Sequence, residues 1–172
     1  MSGGVLYLIA CAAGPTRYLD RGILRAQEAG WRVCVVLTPS AARWWKPRVA
    51  ELAEMTGHPV RSQYKLPHES DALPRADAML VAPLTTTSAC KWAAGITDTL
   101  ALGLPAEAVH LGIPVTATPF WNTALGAQPA VGQAVDNLRA QGVHVVYGPG
   151  EPHAPKQGDA AAFWNTALDT LT

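Results

Sequence analysis

The chain has 172 residues, most simply one domain, long enough to bury about 70% of the surface its unfolded form would expose. Lys plus Arg and Asp plus Glu are equal at 13 each, so no basic excess invites nucleic acid, and no apolar run reaches the ~20 residues that span a bilayer. Only 15% of residues are charged against 49% hydrophobic, which points to a filled core and to further surface buried between subunits.

In chain order, residues 5–10 form a first apolar strand. No basic segment precedes that run, which argues against a secretory signal and for a cytoplasmic protein. Helical spacing over 18–29 stops at Gly30, a usual residue past a helix end. A second strand is expected at 33–38, then one helix over 41–56 that ends at Gly57, then a short third strand at 59–62. Residues 78–82 make the fourth strand, closed by Pro83, which has no N–H for a sheet ladder. Four hydroxyl residues follow, Thr85, Thr86, Thr87 and Ser88, and open a helix whose apolar stripe is Ala89, Trp92, Ala93, Ile96 and Leu100. A fifth strand at 113–117, a helix over 128–141, a sixth strand at 144–147 and a closing helix over 159–171 complete the chain. Strands and helices alternating at this interval predict an α/β fold, a three-layer, doubly wound parallel sheet of flavodoxin or Rossmann type with about six strands.

Three sparse features narrow the chemistry. Cys11, Cys34 and Cys90 are far apart with no CxxC pair, so neither a zinc site nor a disulfide framework is expected. Neither GxGxxG nor GxxxxGK[ST] occurs, which removes the common nucleotide fingerprints. The hexapeptide FWNTAL occurs at 120–125 and again at 163–168, but its flanks disagree and we read the repeat as coincidence. The hydroxyl-rich turn at 85–88 lies where a strand meets a helix. There the free N–H groups and the positive helix end favour an anion or polar ligand, although each hydroxyl also serves as a plain helix cap.

With these residues in view, the chain resembles the flavoprotein family of phosphopantothenoylcysteine decarboxylase and the peptidyl-cysteine decarboxylases of lantibiotic and related peptide biosynthesis. The resemblance extends from the first strand to about Pro149. Members carry a segment close to APxSANTxxKxAxGxxDNLL. Here it stands from Ala82-Pro83 through Thr85-Thr86-Thr87-Ser88, Lys91, Ala93, Gly95 and Asp98, with Thr87 and Thr99 where the family has Asn. The cofactor implied is FMN. It would lie by the first turn, Ala12-Ala13-Gly14, with Thr38 and Ser40 of the second turn and Thr85, Thr86, Thr87 and Ser88 of the third holding its phosphate and ribityl chain.

A second family motif, PxMNxxM, stands here as Pro119-Phe120-Trp121-Asn122-Thr123-Ala124-Leu125. By resemblance Phe120 would lie on the flavin, Asn122 would donate to a substrate carboxylate, and Trp121 would reshape the pocket. An Asx turn after the strand is the bland alternative for Asn122. The family's catalytic histidine corresponds to His68 in His68-Glu69-Ser70-Asp71, one residue further from Ala76-Asp77 than usual. A histidine moves protons readily near neutral pH. His58, His110, His144 and His153 lack that context and read as ordinary surface or strand residues.

What the resemblance implies is an enzyme. It would carry out FMN-dependent oxidative decarboxylation of a cysteine-type thiol-carboxylate, a small molecule or a peptide ending in cysteine, to an enethiol. Coenzyme A pathway members reduce the enethiol with a clamp cysteine. Residues 148–159 hold none, so a reaction that stops at the enethiol fits better, and their Pro/Gly density suits a mobile lid. Relatives imply a homotrimer or dodecamer in which His68 acts across an interface and exposed aromatics such as Trp44-Trp45 join the contact. A flavin prenyltransferase or a non-catalytic FMN-binding subunit are the alternatives.

Overall fold

The computed structural model describes residues 3–171. Five parallel strands form its sheet: β1 (Val5–Ala10), β2 (Arg32–Leu37), β3 (Ala78–Leu84), β4 (Val115–Pro119) and β5 (His144–Val145), in spatial order β2-β1-β3-β4-β5. The helices are α1 (Leu19–Glu28), α2 (Pro39–Trp45), α3 (Val49–Thr56), α4 (Thr86–Ala93), α5 (Leu100–His110), α6 (Thr123–Gly126), α7 (Pro129–Ala140) and α8 (Phe163–Ala167). Short 3₁₀ turns precede α1, join α2 to α3 and follow α8.

Both sheet faces are covered, which is why the strands are continuous apolar runs. Val5, Tyr7 and Ile9 of β1 with Met79 and Val81 of β3 pack under Trp92 of α4, Ala101 of α5 and Leu138 of α7. Their neighbours Leu6, Leu8, Leu80 and Ala82 face the other way, onto Ile23 of α1, Trp45, Leu52 and Trp164 of α8. This is the expected three-layer, doubly wound α/β arrangement. No helix among the described residues is long and apolar enough to cross a membrane.

Several boundaries differ from the sequence expectation: the strand expected at 113–117 runs Val115–Pro119, that expected at 144–147 is cut to His144–Val145, and the closing helix expected over 159–171 is α8 with the 3₁₀ turn after it. The third strand expected at 59–62 is reduced to a single bridge from Arg61 to Val36, so the sheet has five strands. Pro59, with no N–H to give, shortens what the edge can pair. The single helix expected over 41–56 is two helices, because Pro47 falls in its middle and the chain tightens into a 3₁₀ turn there. Strand β3 runs through Pro83 to Leu84, and the register slips between Val81 and Leu84 to absorb the missing donor. The stripe drawn from Ala89 to Leu100 is interrupted: α4 ends at Ala93, Gly95 takes φ +76, Ile96 is exposed, and a separate α5 follows.

The aromatic pair Trp44-Trp45 divides. Trp44 is 48% exposed, whereas Trp45 is buried and donates its indole N–H to the Thr16 carbonyl at 2.7 Å. Cysteine chemistry follows burial in the same way. Burial pushes the Cys34 thiol up to about 11 and raises that of Cys11, while Cys90 is half-buried on α4. The thiolate is the reactive form, so we expect one fast thiol in a native Ellman titration, Cys90, and three after denaturation. A native protein in which Cys11 reacts as fast as Cys90 would contradict this packing.

Candidate active site

The strand order reverses at β1, whose neighbours are β2 and β3, and crevices at such switch points are where open α/β sheets bind ligands. The turns that leave the carboxyl ends of β1 and β3 are stitched together there. The Cys11 N–H donates to the Pro83 carbonyl at 3.1 Å, and the polar Ser88 and Thr85 beside the buried Cys11 thiol partly offset the rise that burial causes. Ala12, Ala13 and Gly14 follow directly, all half-buried.

Two helices begin at this edge with a threonine cap. Thr38 Oγ1 accepts the Ala41 N–H at 3.2 Å at the start of α2, and Thr85 Oγ1 accepts the Ser88 N–H at 3.3 Å at the start of α4. Ser40 Oγ accepts from the Arg43 guanidinium at 3.3 Å. The cap reading therefore holds for Thr38 and Thr85. It does not account for Thr86 and Thr87, whose hydroxyls make no hydrogen bond among the described residues.

Strand β4 delivers the remaining residues. Phe120 follows its last residue, its N–H donates to the Leu84 carbonyl at 3.0 Å, and its ring lies 3.5 Å from where a Cβ on Gly14 would be. Two residues earlier on the same face, the Thr118 hydroxyl is buried with no partner. Asn122 caps α6: its Oδ1 accepts the Leu125 N–H at 2.9 Å, which leaves the Nδ2 donors available. The Asx-type role and a ligand-binding role are thus compatible in one side chain. Trp121, expected to reshape the pocket, turns instead into the core, edge-to-face with Tyr147 at 5.8 Å. The strand's alternation sends its side chain to the face opposite Phe120.

His68 is not brought to this edge within one chain. It is exposed and lines a shallow hollow of about 680 Å³ with Arg61, Gln63, Glu69 and Ser70. The adjoining cavity of about 570 Å³, between the 61–76 segment and α5, is lined by Tyr7, Tyr64, Leu100, Leu104 and Leu111. Neither includes a residue of the strand-end set.

A pair that the sequence reading passed over stands at the edge instead. His153 stacks on Phe120 with ring centres 4.5 Å apart, and its Nδ1 is 2.7 Å from Glu151 Oε2. No motif marks His153; only the return of the C-terminal segment, which pairs it with Asn122, carries it there. Phe163, from the second FWNTAL copy, meets Phe120 edge-on at 5.7 Å, so both copies reach the site although their settings differ.

Comparison with known proteins agrees with this architecture. A family model described as Flavoprotein matches residues 16–168. Among solved structures, the FMN-dependent cysteine decarboxylase TvaF from thioviridamide biosynthesis is 25% identical, with a TM-score of 0.75 and 97% of each chain covered. The decarboxylase EpiD, in a variant complexed with substrate peptide DSYTC, is 18% identical at a TM-score of 0.72, covering 84% of this chain and 80% of its own. A PPC decarboxylase variant complexed with pantothenoylaminoethenethiol is 16% identical at a TM-score of 0.70, with 98% of each chain covered. The search of curated proteins finds no match.

Proposed function

This chain belongs to the Flavoprotein family, and on that premise we propose that it is an FMN-dependent enzyme that oxidatively decarboxylates a cysteine-type thiol-carboxylate, with a peptide ending in cysteine as substrate. One observation carries the reading. Asn122, with its amide donors free, adjoins Phe120 at the switch-point edge of a sheet whose fold matches that of a cysteine decarboxylase over 97% of both chains.

The donor set fits FMN. Thr38, Ser40 and Thr85 to Ser88 offer hydroxyls and helix-start N–H groups to a phosphate and ribityl chain. Ala12, Ala13 and Gly14 admit a close approach, and Phe120 offers an aromatic face. The buried, unpartnered hydroxyl of Thr118 is what a polar ligand would satisfy.

Bound there, FMN would supply a hydride acceptor for the carbon that bears sulfur. The protein's part is positioning and proton handling. Asn122 Nδ2 donates to the substrate carboxylate and fixes the bond that breaks. His68 holds the thiol proton while the carboxylate departs, and the proton returns to sulfur in the enethiol. The overall loss is one hydride and one carbon dioxide. Because His68 lies away from Asn122 in its own chain, it acts from a second copy, and a homotrimer or dodecamer is the proposed assembly. Residues 148–159 serve as the lid that excludes water from the site.

The test is direct. Purified protein should be yellow or take up FMN, and cysteine-ended peptides should lose carbon dioxide and two hydrogens by mass spectrometry. A protein that stays colourless when supplied with FMN, or a monomer by light scattering at full turnover, would sink the reading.

A further inference from the structure

The C-terminal segment returns to the sheet edge so that His153 and Asn122 face each other as a parallel bridge, with the Thr123 N–H donating to the His153 carbonyl at 2.8 Å. Paired strands lie about 4.8 Å apart, so the two side chains leave the backbone side by side. The imidazole is then fixed on three sides. Phe120 lies under it, and Glu151 Oε2 holds Nδ1 at 2.7 Å while also accepting the His153 N–H at 3.1 Å.

The Glu151 side chain is only 8% exposed and that of His153 14%. A carboxylate this buried requires hydrogen-bonding partners, and the His153 ring and backbone N–H provide them. A Cβ on Gly158 would fall 2.7–2.8 Å from Nε2, Cδ2 and Cε1 alike, so the glycine packs on the ring and holds it from a further side. With Nδ1 held by Glu151, Nε2 is the ring's remaining polar atom, and it makes no hydrogen bond among the described residues.

We propose that His153 is a recognition residue for the substrate's terminal carboxylate. In that complex Nε2, carrying a proton, and the Asn122 Nδ2–H each donate to one carboxylate oxygen, and Glu151 is the positioning residue that aims the ring. This rests on the decarboxylase reading and extends it: the site selects a free C-terminal acid over the corresponding amide, with two donors from two chain segments.

The test uses FMN-loaded protein and a serine-ended peptide, which has no thiol to oxidise, as free acid and as C-terminal amide. Wild type should prefer the acid. His153→Leu should shrink that preference about 10- to 100-fold, the value of one charge-assisted hydrogen bond, by weakening the acid more than the amide. With a cysteine-ended peptide its KM should rise more than its kcat falls. His153→Gln, which keeps a donor, should recover part of the preference, and Glu151→Gln should fall between.

An acid preference that survives in His153→Leu overturns the assignment, as does an equal loss for acid and amide. Where leucine disturbs the segment, seen as lost FMN, Glu151→Gln decides alone: its preference falls if the ring is held for the carboxylate and stays if it is not. The two readings fail separately. Wild type without FMN sinks both, whereas a yellow wild type that decarboxylates the cysteine peptide, with an unchanged leucine variant, sinks only the role of His153.

Discussion

Asn122→Asp is expected to lower turnover of a cysteine-ended peptide by about 10³-fold or more while leaving both the fold and FMN binding in place. The side chain has two separable jobs. Its Oδ1 caps α6 by accepting the Leu125 N–H at 2.9 Å, and aspartate, an equally good cap, keeps that bond. Its Nδ2 is the donor offered to the substrate, and aspartate has none. Losing a hydrogen bond to a charged group costs about 1.5–3 kcal/mol. Setting one carboxylate beside another adds several kcal/mol more. Asn122→Ala is the less informative variant, because it also removes the cap at about 0.5–2 kcal/mol and mixes a folding effect with a chemical one. Product by mass spectrometry, flavin absorbance and a thermal melt on the same sample separate the contributions. An aspartate variant within about threefold of wild-type turnover would show that Asn122 is a cap and nothing more.

The sheet was legible because its information is local. Strands buried on both faces must be apolar throughout, and glycines that end helices stand beside them in the sequence. Gly57 does so at φ +70, where a side chain would be strained. The misreadings arise where the outcome depends on what lies across the fold. Nothing local announces α5, which carries Gly103 and Pro105 and is held by packing. The Tyr64 hydroxyl donates to the Thr97 carbonyl at 2.8 Å and comes so close to Gly103 that a side chain there would collide with it. Trp121 reads as a pocket residue and Trp45 as part of a subunit contact, and only the core that surrounds each one decides.

The candidate site divides along the same line. Turns that follow strands in sequence, Ala12 to Gly14, Thr38 with Ser40, Thr85 to Ser88, and Phe120 with Asn122, were readable, because a parallel sheet gathers all its strand ends at one edge. His153 was not, since its place depends on a return of the chain that ends in a single bridge to Asn122. His68 shows the converse. Its motif is in the sequence, but a single chain does not carry it to the strand ends.

The largest expected effect on stability belongs to Trp164, the residue through which the C-terminal segment is fastened to the first turn. It is 1% exposed, and its indole N–H donates to the Pro15 carbonyl at 2.8 Å. Its six-membered ring lies so close to Gly22 of α1 that a Cβ there would approach to 2.5 Å. Trp164→Ala should cost about 3–5 kcal/mol from the cavity alone. The stranded Pro15 carbonyl adds about 1–3 kcal/mol unless water reaches it. For a chain of this length each kcal/mol lowers Tm by about 2–4 °C, so a fall of roughly 6–32 °C is expected by calorimetry. The consequence for function follows from connectivity. The neighbouring Phe163 contacts Phe120, and Ala160 would lie 3.0 Å from a Cβ on Gly14, so loosening α8 loosens the C-terminal segment's packing on the strand-end edge. FMN retention should therefore fall together with Tm. Trp164→Phe, which keeps much of the volume but loses the N–H, should fall less on both measures. If the alanine variant melts early yet retains FMN as wild type does, the C-terminal segment is a structural brace and lies outside the cofactor's surroundings.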